Sequence, residues 1–154
     1  MEITLILHSI LRWGILLFGL WAVINSLSGL IGKRSFSAND NRSGLFFMVF
    51  CDIQLLLGLI LVYTNGWLDK IKAGMGPLMK NNYDRFFVVE HAFMMIIAWI
   101  LVHIGRSAVK KAATDRAKHK KMLIFYGIAL LLILISIPWP FRVEVARPLF
   151  RWFN

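Results

Sequence analysis

The sequence is short of what most soluble and secreted proteins use to hold themselves together. It has one cysteine and four prolines in 154 residues, and eight acidic side chains against eighteen lysines and arginines. A lone Cys51 excludes a disulfide framework within the chain, a cysteine-based metal site and the two-cysteine attachment of a c-type haem. There is no glycine-rich phosphate loop, no nucleophile elbow and no HExxH pair, which removes the common nucleotide, acyl-transfer and metalloprotease chemistries. No repeat of fixed period and no low-complexity stretch is present either.

What the chain does have is hydrocarbon. Hydrophobic residues make up 58% of it and its mean hydropathy is +0.66, whereas a soluble domain is only about half apolar. The apolar residues arrive in four blocks, about 3–31, 45–64, 86–104 and 122–137, each near the ~20 residues that cross a bilayer core as a helix. They are continuously apolar rather than alternating, which excludes the strands of a membrane barrel. The expected fold is all-α: one transmembrane domain, 1–154, forming an up-down-up-down four-helix bundle in the lipid bilayer. Glu2 stands where a signal peptide has its basic segment and no small-x-small cleavage site follows, so the first block is expected to stay as a span.

Between the blocks lie GKRSFSANDNRSG, then NGWLDKIKAGMGPLMKNNYDR, then GRSAVKKAATDRAKHKK. The second link, with Gly74, Gly76 and Pro77, reads as a loop with at most one short interfacial helix. The motif PWP stops the fourth span, and the tail, 139–154, mixes aromatics with arginines as the headgroup layer favours. The net charge of +10 does not point to nucleic acid, because the basic residues cluster where helices leave the membrane. The first and third links together carry ten lysines and arginines, and the second link with the tail carries seven. That bias places the basic links in the cytoplasm and both termini in the periplasm of a bacterial inner membrane.

Ionisable residues inside spans cost about 2.5–3.5 kcal/mol each on insertion scales and are candidates for function. Here they are His8 and Arg12 in the first span, Asp52 in the second, and Glu90, His91 and His103 in the third. His8 and His91 lie at matched depth, about 8–10 Å below the same boundary at about 1.5 Å per residue. Their helices run in the same direction and are diagonal neighbours in such a bundle. On the first span His8, Arg12, Ile15, Gly19, Ala22 and Ser26 share a stripe. On the second, Cys51, Gln54 and Gly58 do, and on the third His91, Met95, Ala98, Val102 and Gly105. Small residues on inward faces either let helices approach or leave room for something flat.

The pattern suits one b-type haem with His8 and His91 as its two axial, metal-binding ligands. Arg12, one turn from His8, is expected to neutralise either a propionate or Glu90, and Gln54 to hydrogen-bond into the pocket. The competing reading is two polar residues bonded across the core. Zinc or iron without haem would need Glu90 as a third ligand. His103 lies about 120° around the helix from His91 at about 100° per residue and completes no second pair. It and Asp52 form a candidate quinone or second site. Asp52 and Gln54 sit on different faces, so both cannot look into one core. His119, within KHKK, reads as a loop residue with no chemistry of its own.

The stretches LHSILRW, DIQLLLGLIL, EHAFMMIIAWILVHIGRS and LLILISIPWP together resemble a family of small bacterial four-span membrane proteins known as cytochrome b or cytochrome b-like. The shared motifs fall on His8, Ser9, Leu11, Arg12 and Trp13, on Glu90 and His91, and on His103 to Ser107. The resemblance implies haem binding. The family pattern includes a further histidine near Asp52, which this chain lacks, so one haem rather than two is expected. The expected function is electron relay from a membrane donor such as a quinol, as an accessory subunit of a larger respiratory or other membrane complex rather than a stand-alone enzyme. The rival is a cofactor-free structural subunit or assembly factor, in which Arg12 and Glu90 pair to fix helix register.

Overall fold

The computed structural model describes residues 2–150. Four long helical runs carry the apolar blocks: α1 (Glu2–Ile31), α2 (Ala38–Thr64), a third discussed below, and α7 (Asp115–Ser136). All four are long and apolar enough to cross a membrane, and the chain is a multi-pass helical bundle without strands among the described residues. In lipid every backbone N–H and C=O must be paired within the protein, and a continuous helix does so inside one segment. The outer surface is apolar accordingly: Leu17, Ile24 and Leu27 of α1 are each about half exposed or more.

The helices outrun the apolar blocks because their caps lie beyond them. α2 starts at Ala38 rather than near 45: Ser37 and Asp40 form a capping box that satisfies the first free N–H groups. Thr114 caps α7 by accepting from the Ala117 N–H, about two turns ahead of the apolar block. Lys33 takes a left-handed conformation, φ 48°, which ends α1 and turns the chain. Arg34 then donates to both oxygens of Asp40, at 2.6 and 2.7 Å, and to the Asn25 carbonyl at 3.0 Å. This clasp ties the end of α1 to the start of α2, and Asp40 holds the Arg34 guanidinium above its ordinary pKa.

The second link is more structured than expected. It holds three short helices, α3 (Trp67–Lys72), α4 (Met75–Lys80) and α5 (Asn82–Arg85). α5 runs without a break into a π-helical segment, Phe86–His91, and then α6 (Ala92–Lys110). The third membrane helix is therefore 82–110, with one widened turn near its start. After Ser136 the prolines stop α7, and the chain folds back over that end of the bundle through 150. Residues 151–154 of the expected tail lie outside the described residues.

α1 packs on α2 and α7, and α6 packs on the same two, so α1 and α6 face each other across a diagonal, as do α2 and α7. At the basic end the diagonal is filled. Tyr126, Phe47 and Met122 are fully buried. A Cβ on Gly44 would lie 2.9 Å from the Tyr126 ring, and one on Gly105 2.6 Å from the Phe125 Cβ; only glycine lets the helices come this close. His119 belongs to this packing and is not a loop residue. Because α7 starts ahead of its apolar block, His119 lies within the helix, fully buried against Gly29 and the Phe36 ring.

Candidate functional site

At the opposite end the diagonal is open. A cavity of about 390 Å³ lies between the start of α1, the end of α2, the π-helical turn and the end of α7, within the range of small-molecule and cofactor sites. His8 and His91 reach into it from opposite corners, their ring centres 6.4 Å apart and their planes inclined at 64°.

Each histidine is positioned by a local feature of the chain. His91 closes the π-helical turn; such widened turns often occur at functional sites. Its Nδ1 lies 2.9 Å from the Ser136 carbonyl oxygen. That carbonyl is free because Ser136 ends α7, whose last carbonyls have no partner within the helix, and Pro138 and Pro140 prevent continuation. A carbonyl only accepts, so Nδ1 carries the proton and Nε2 keeps its lone pair. His8 faces it from α1, where Gln54 of α2 donates to the His8 carbonyl at 2.9 Å. A Cβ on Gly58 would stand 3.6 Å from the His8 ring.

The cavity wall holds a set of unpaired atoms. His8 Nδ1, Arg12 Nε and Gln54 Oε1 are buried with no hydrogen-bond partner among the described residues. A buried polar atom left unpaired costs about 1–3 kcal/mol; three more, His119 Nδ1 and Nε2 and Arg106 Nε, are unpaired at the packed end, so the chamber is marked by its open volume and facing imidazoles. The arginine's other end is occupied: Arg12 Nη2 donates to the Leu149 carbonyl at 2.5 Å, and Trp13 Nε1 donates to the same oxygen at 3.0 Å. Thus the returning tail lies over the cavity, and Pro138, Arg147 and Pro148 line it. Arg147 donates to the Tyr83 hydroxyl and lies over the Phe87 ring, 5.0 Å from its centre.

Three candidate residues lie outside the cavity. Glu90 is exposed and pairs with Arg85 at 2.8 Å, so the expected Arg12–Glu90 ion pair does not form. Neighbouring residues stand about 100° apart around a helix, so with His91 turned in, Glu90 is turned out. A zinc-type site built on Glu90 fails for the same reason, and among the described residues no three of His, Cys, Asp and Glu converge. Asp52 and His103 do meet, but outside the cavity, on the seam between α2 and α6. His103 Nε2 lies 2.7 Å from Asp52 Oδ1, and Trp99 Nε1 donates to the same oxygen at 2.6 Å. The different faces of Asp52 and Gln54, expected from their spacing, are realised: Gln54 lines the cavity and Asp52 the seam.

Sequence reading missed Ser136, Arg147 and Trp99. Two of these had a signal. Ser136 precedes a proline stop, where free carbonyls are guaranteed, and Trp99 stands one turn before His103 on one face. Arg147 had none, because only the fold returns the tail to the bundle.

Fold and cavity together define a class: a multi-pass membrane bundle with an internal, histidine-flanked chamber at one end. No protein-family model matches the chain, and no curated protein or solved structure matches it either.

Proposed function

We propose that the chamber holds one b-type haem between His8 and His91, and that the protein relays electrons in a bacterial cytoplasmic membrane as a subunit of a larger complex. The observation that carries this reading is the spacing of the two imidazoles. Two imidazoles that would hold one ion between them need ring centres roughly 6 Å apart, from metal–nitrogen bonds of about 2.0–2.1 Å. The observed separation is 6.4 Å. Two protein ligands are too few for a bare catalytic metal but suffice where a macrocycle supplies the rest.

When bound, haem supplies reversible one-electron chemistry. The chain's own residues do the rest. His91 is held in one tautomer by the Ser136 carbonyl, as an outer partner fixes a metal ligand. Arg12 and Arg147 bring positive charge to the wall, where they suit the carboxylates of such a group. The apolar lining keeps water from the site. A haem held by both His8 and His91 would have no position open to substrate, which favours electron transfer over catalysis. The excess of lysine and arginine in the first and third links favours an orientation with the haem end on the periplasmic side.

The cofactor-free structural reading takes the same residues as hydrogen-bond glue. That reading gives the chamber no occupant, whereas about 390 Å³ lies open beside two facing imidazoles. The deciding measurement is a reduced-minus-oxidised visible spectrum of detergent-purified protein beside His8→Ala and His91→Ala. A sharp b-type Soret and α band in the wild type, lost or converted to high spin in both variants, is the expected result. Colourless wild type from haem-replete cells would sink the reading.

A further inference from the structure

At the basic end, outside the packed diagonal, the end of α1 and the start of α7 leave a hollow between them. Gly29, Leu30, Lys33 and Arg34 wall it on one side, Asp115 and Arg116 on the other. This wall carries more positive charge than the protein neutralises. Arg34 is committed to Asp40, and Asp115, the one acid in the wall, lies 3.6 Å from Lys118. The side chains of Lys33 and Arg116 are left without an ion-pair or hydrogen-bond partner among the described residues. Lys33 is moreover held at φ 48°, a backbone conformation that lysine rarely adopts. Two unpaired cations facing one hollow call for an anion from outside the chain.

The surroundings say what carries that anion. Lys33 stands two residues beyond Ile31, where the apolar block of α1 ends, so the hollow lies where hydrocarbon gives way to headgroups. Leu30 continues its wall into the span, and Ile24, Leu27 and Ile31 of the same helix are exposed. Arg116 lies in the first turn of α7, whose free N–H groups and dipole add positive potential. Gly29 packs against the His119 ring, where a Cβ would come within 2.2 Å. That ring is fully buried, and neither of its nitrogens has a partner among the described residues. A demand for negative charge above an aliphatic helix face matches a phospholipid better than a soluble anion. Basic pockets between transmembrane helices bind acidic lipid head groups on this principle.

We propose that this hollow binds the phosphate of an anionic phospholipid. Lys33 and Arg116 flank the phosphate, and the acyl chains lie along the aliphatic face of α1. The lipid then bridges two helices that meet here only at their ends, and it neutralises charge that no side chain of the protein does. The site is at the opposite end from the chamber, so it does not depend on haem.

The test is native mass spectrometry of the full-length protein in detergent, titrated with three probes. Dioleoylphosphatidylglycerol is anionic, dioleoylphosphatidylcholine has the same chains without net charge, and inorganic phosphate has no chains. The wild type is expected to hold the anionic lipid about tenfold more tightly than the zwitterionic one. Lys33→Asn, which tolerates the left-handed backbone, combined with Arg116→Gln is expected to abolish that preference. Lys110→Gln with Lys111→Gln, which removes equal charge at the same end outside the hollow, is expected to keep it. Inorganic phosphate in large excess is expected not to displace the lipid. Equal retention of the two lipids by the wild type overturns the proposal without any variant having to fold. Equal loss of the preference in both double variants also overturns it, by assigning the effect to the net charge of that end. Displacement by inorganic phosphate overturns it as well, because free phosphate would then be the ligand.

Discussion

The two ends of the bundle are built from the same four helices and do opposite things with the diagonal between α1 and α6. At the basic end glycines draw the helices together onto Tyr126, Phe47 and Met122, and what the sequence left as a loop histidine, His119, is folded into the packing. At the other end the diagonal is open to about 390 Å³; three buried polar atoms go unpaired at each end, so the volume on the diagonal is what separates them. Packing density in a protein interior is normally uniform and high. This bundle closes at one end and opens at the other, with two imidazoles facing across the opening.

Substitutions at the two ends should sort by this contrast. The largest effect is expected from His8→Ala and His91→Ala. Each should reduce retained haem by at least tenfold, read as Soret absorbance per protein, while the melting temperature of the haem-stripped protein changes little. At the closed end Gly105→Ala drives a Cβ to 2.6 Å from the Phe125 Cβ and should cost about 1–3 kcal/mol, as overpacking does, read as a lowered denaturation midpoint in detergent. The matched change at the open end, Gly58→Ala, meets only an ordinary 3.6 Å contact with the His8 ring and should stay within about 0.5 kcal/mol. Equal costs for the two glycines would remove the distinction between the ends.

Arg12→Gln should free the tail rather than unfold the bundle. The lost bonds to the Pro148 and Leu149 carbonyls are charge-assisted and worth about 1.5–3 kcal/mol. Faster hydrogen exchange over 142–149, with protection of α7 unchanged, is the expected signature. The smallest effect belongs to Glu90→Gln. Its pair with Arg85 is exposed, so stability should move by no more than about 1 kcal/mol and the visible spectrum should not move at all. A spectral change there would return Glu90 to the chamber.

The spans were legible because lipid imposes one rule on every backbone group, and long apolar runs have one way to obey it. His8 and His91 were legible for a related reason: depth along a straight helix is arithmetic, and the two depths agree. Glu90 shows where that arithmetic stops. Residues 90 and 91 share a depth but stand about 100° apart around the helix, so with His91 in the chamber Glu90 turns out to Arg85. The capping residues Ser37 and Thr114 were readable by type, yet the helices were expected to begin where the hydrophobicity did.

The sequence by itself therefore determined the class of fold, the four crossings and the residues too costly to bury without a purpose. Each follows from local hydropathy or from counting along one helix. Only the tertiary structure decided which of those residues meet. The His8–His91 pair, the Asp52–His103 seam, the Ser136 carbonyl beneath His91 and the tail laid over Arg12 each join groups from different helices or segments. Such joins are fixed by helix rotation, by the register set in one π-helical turn and by where the prolines send the chain after α7.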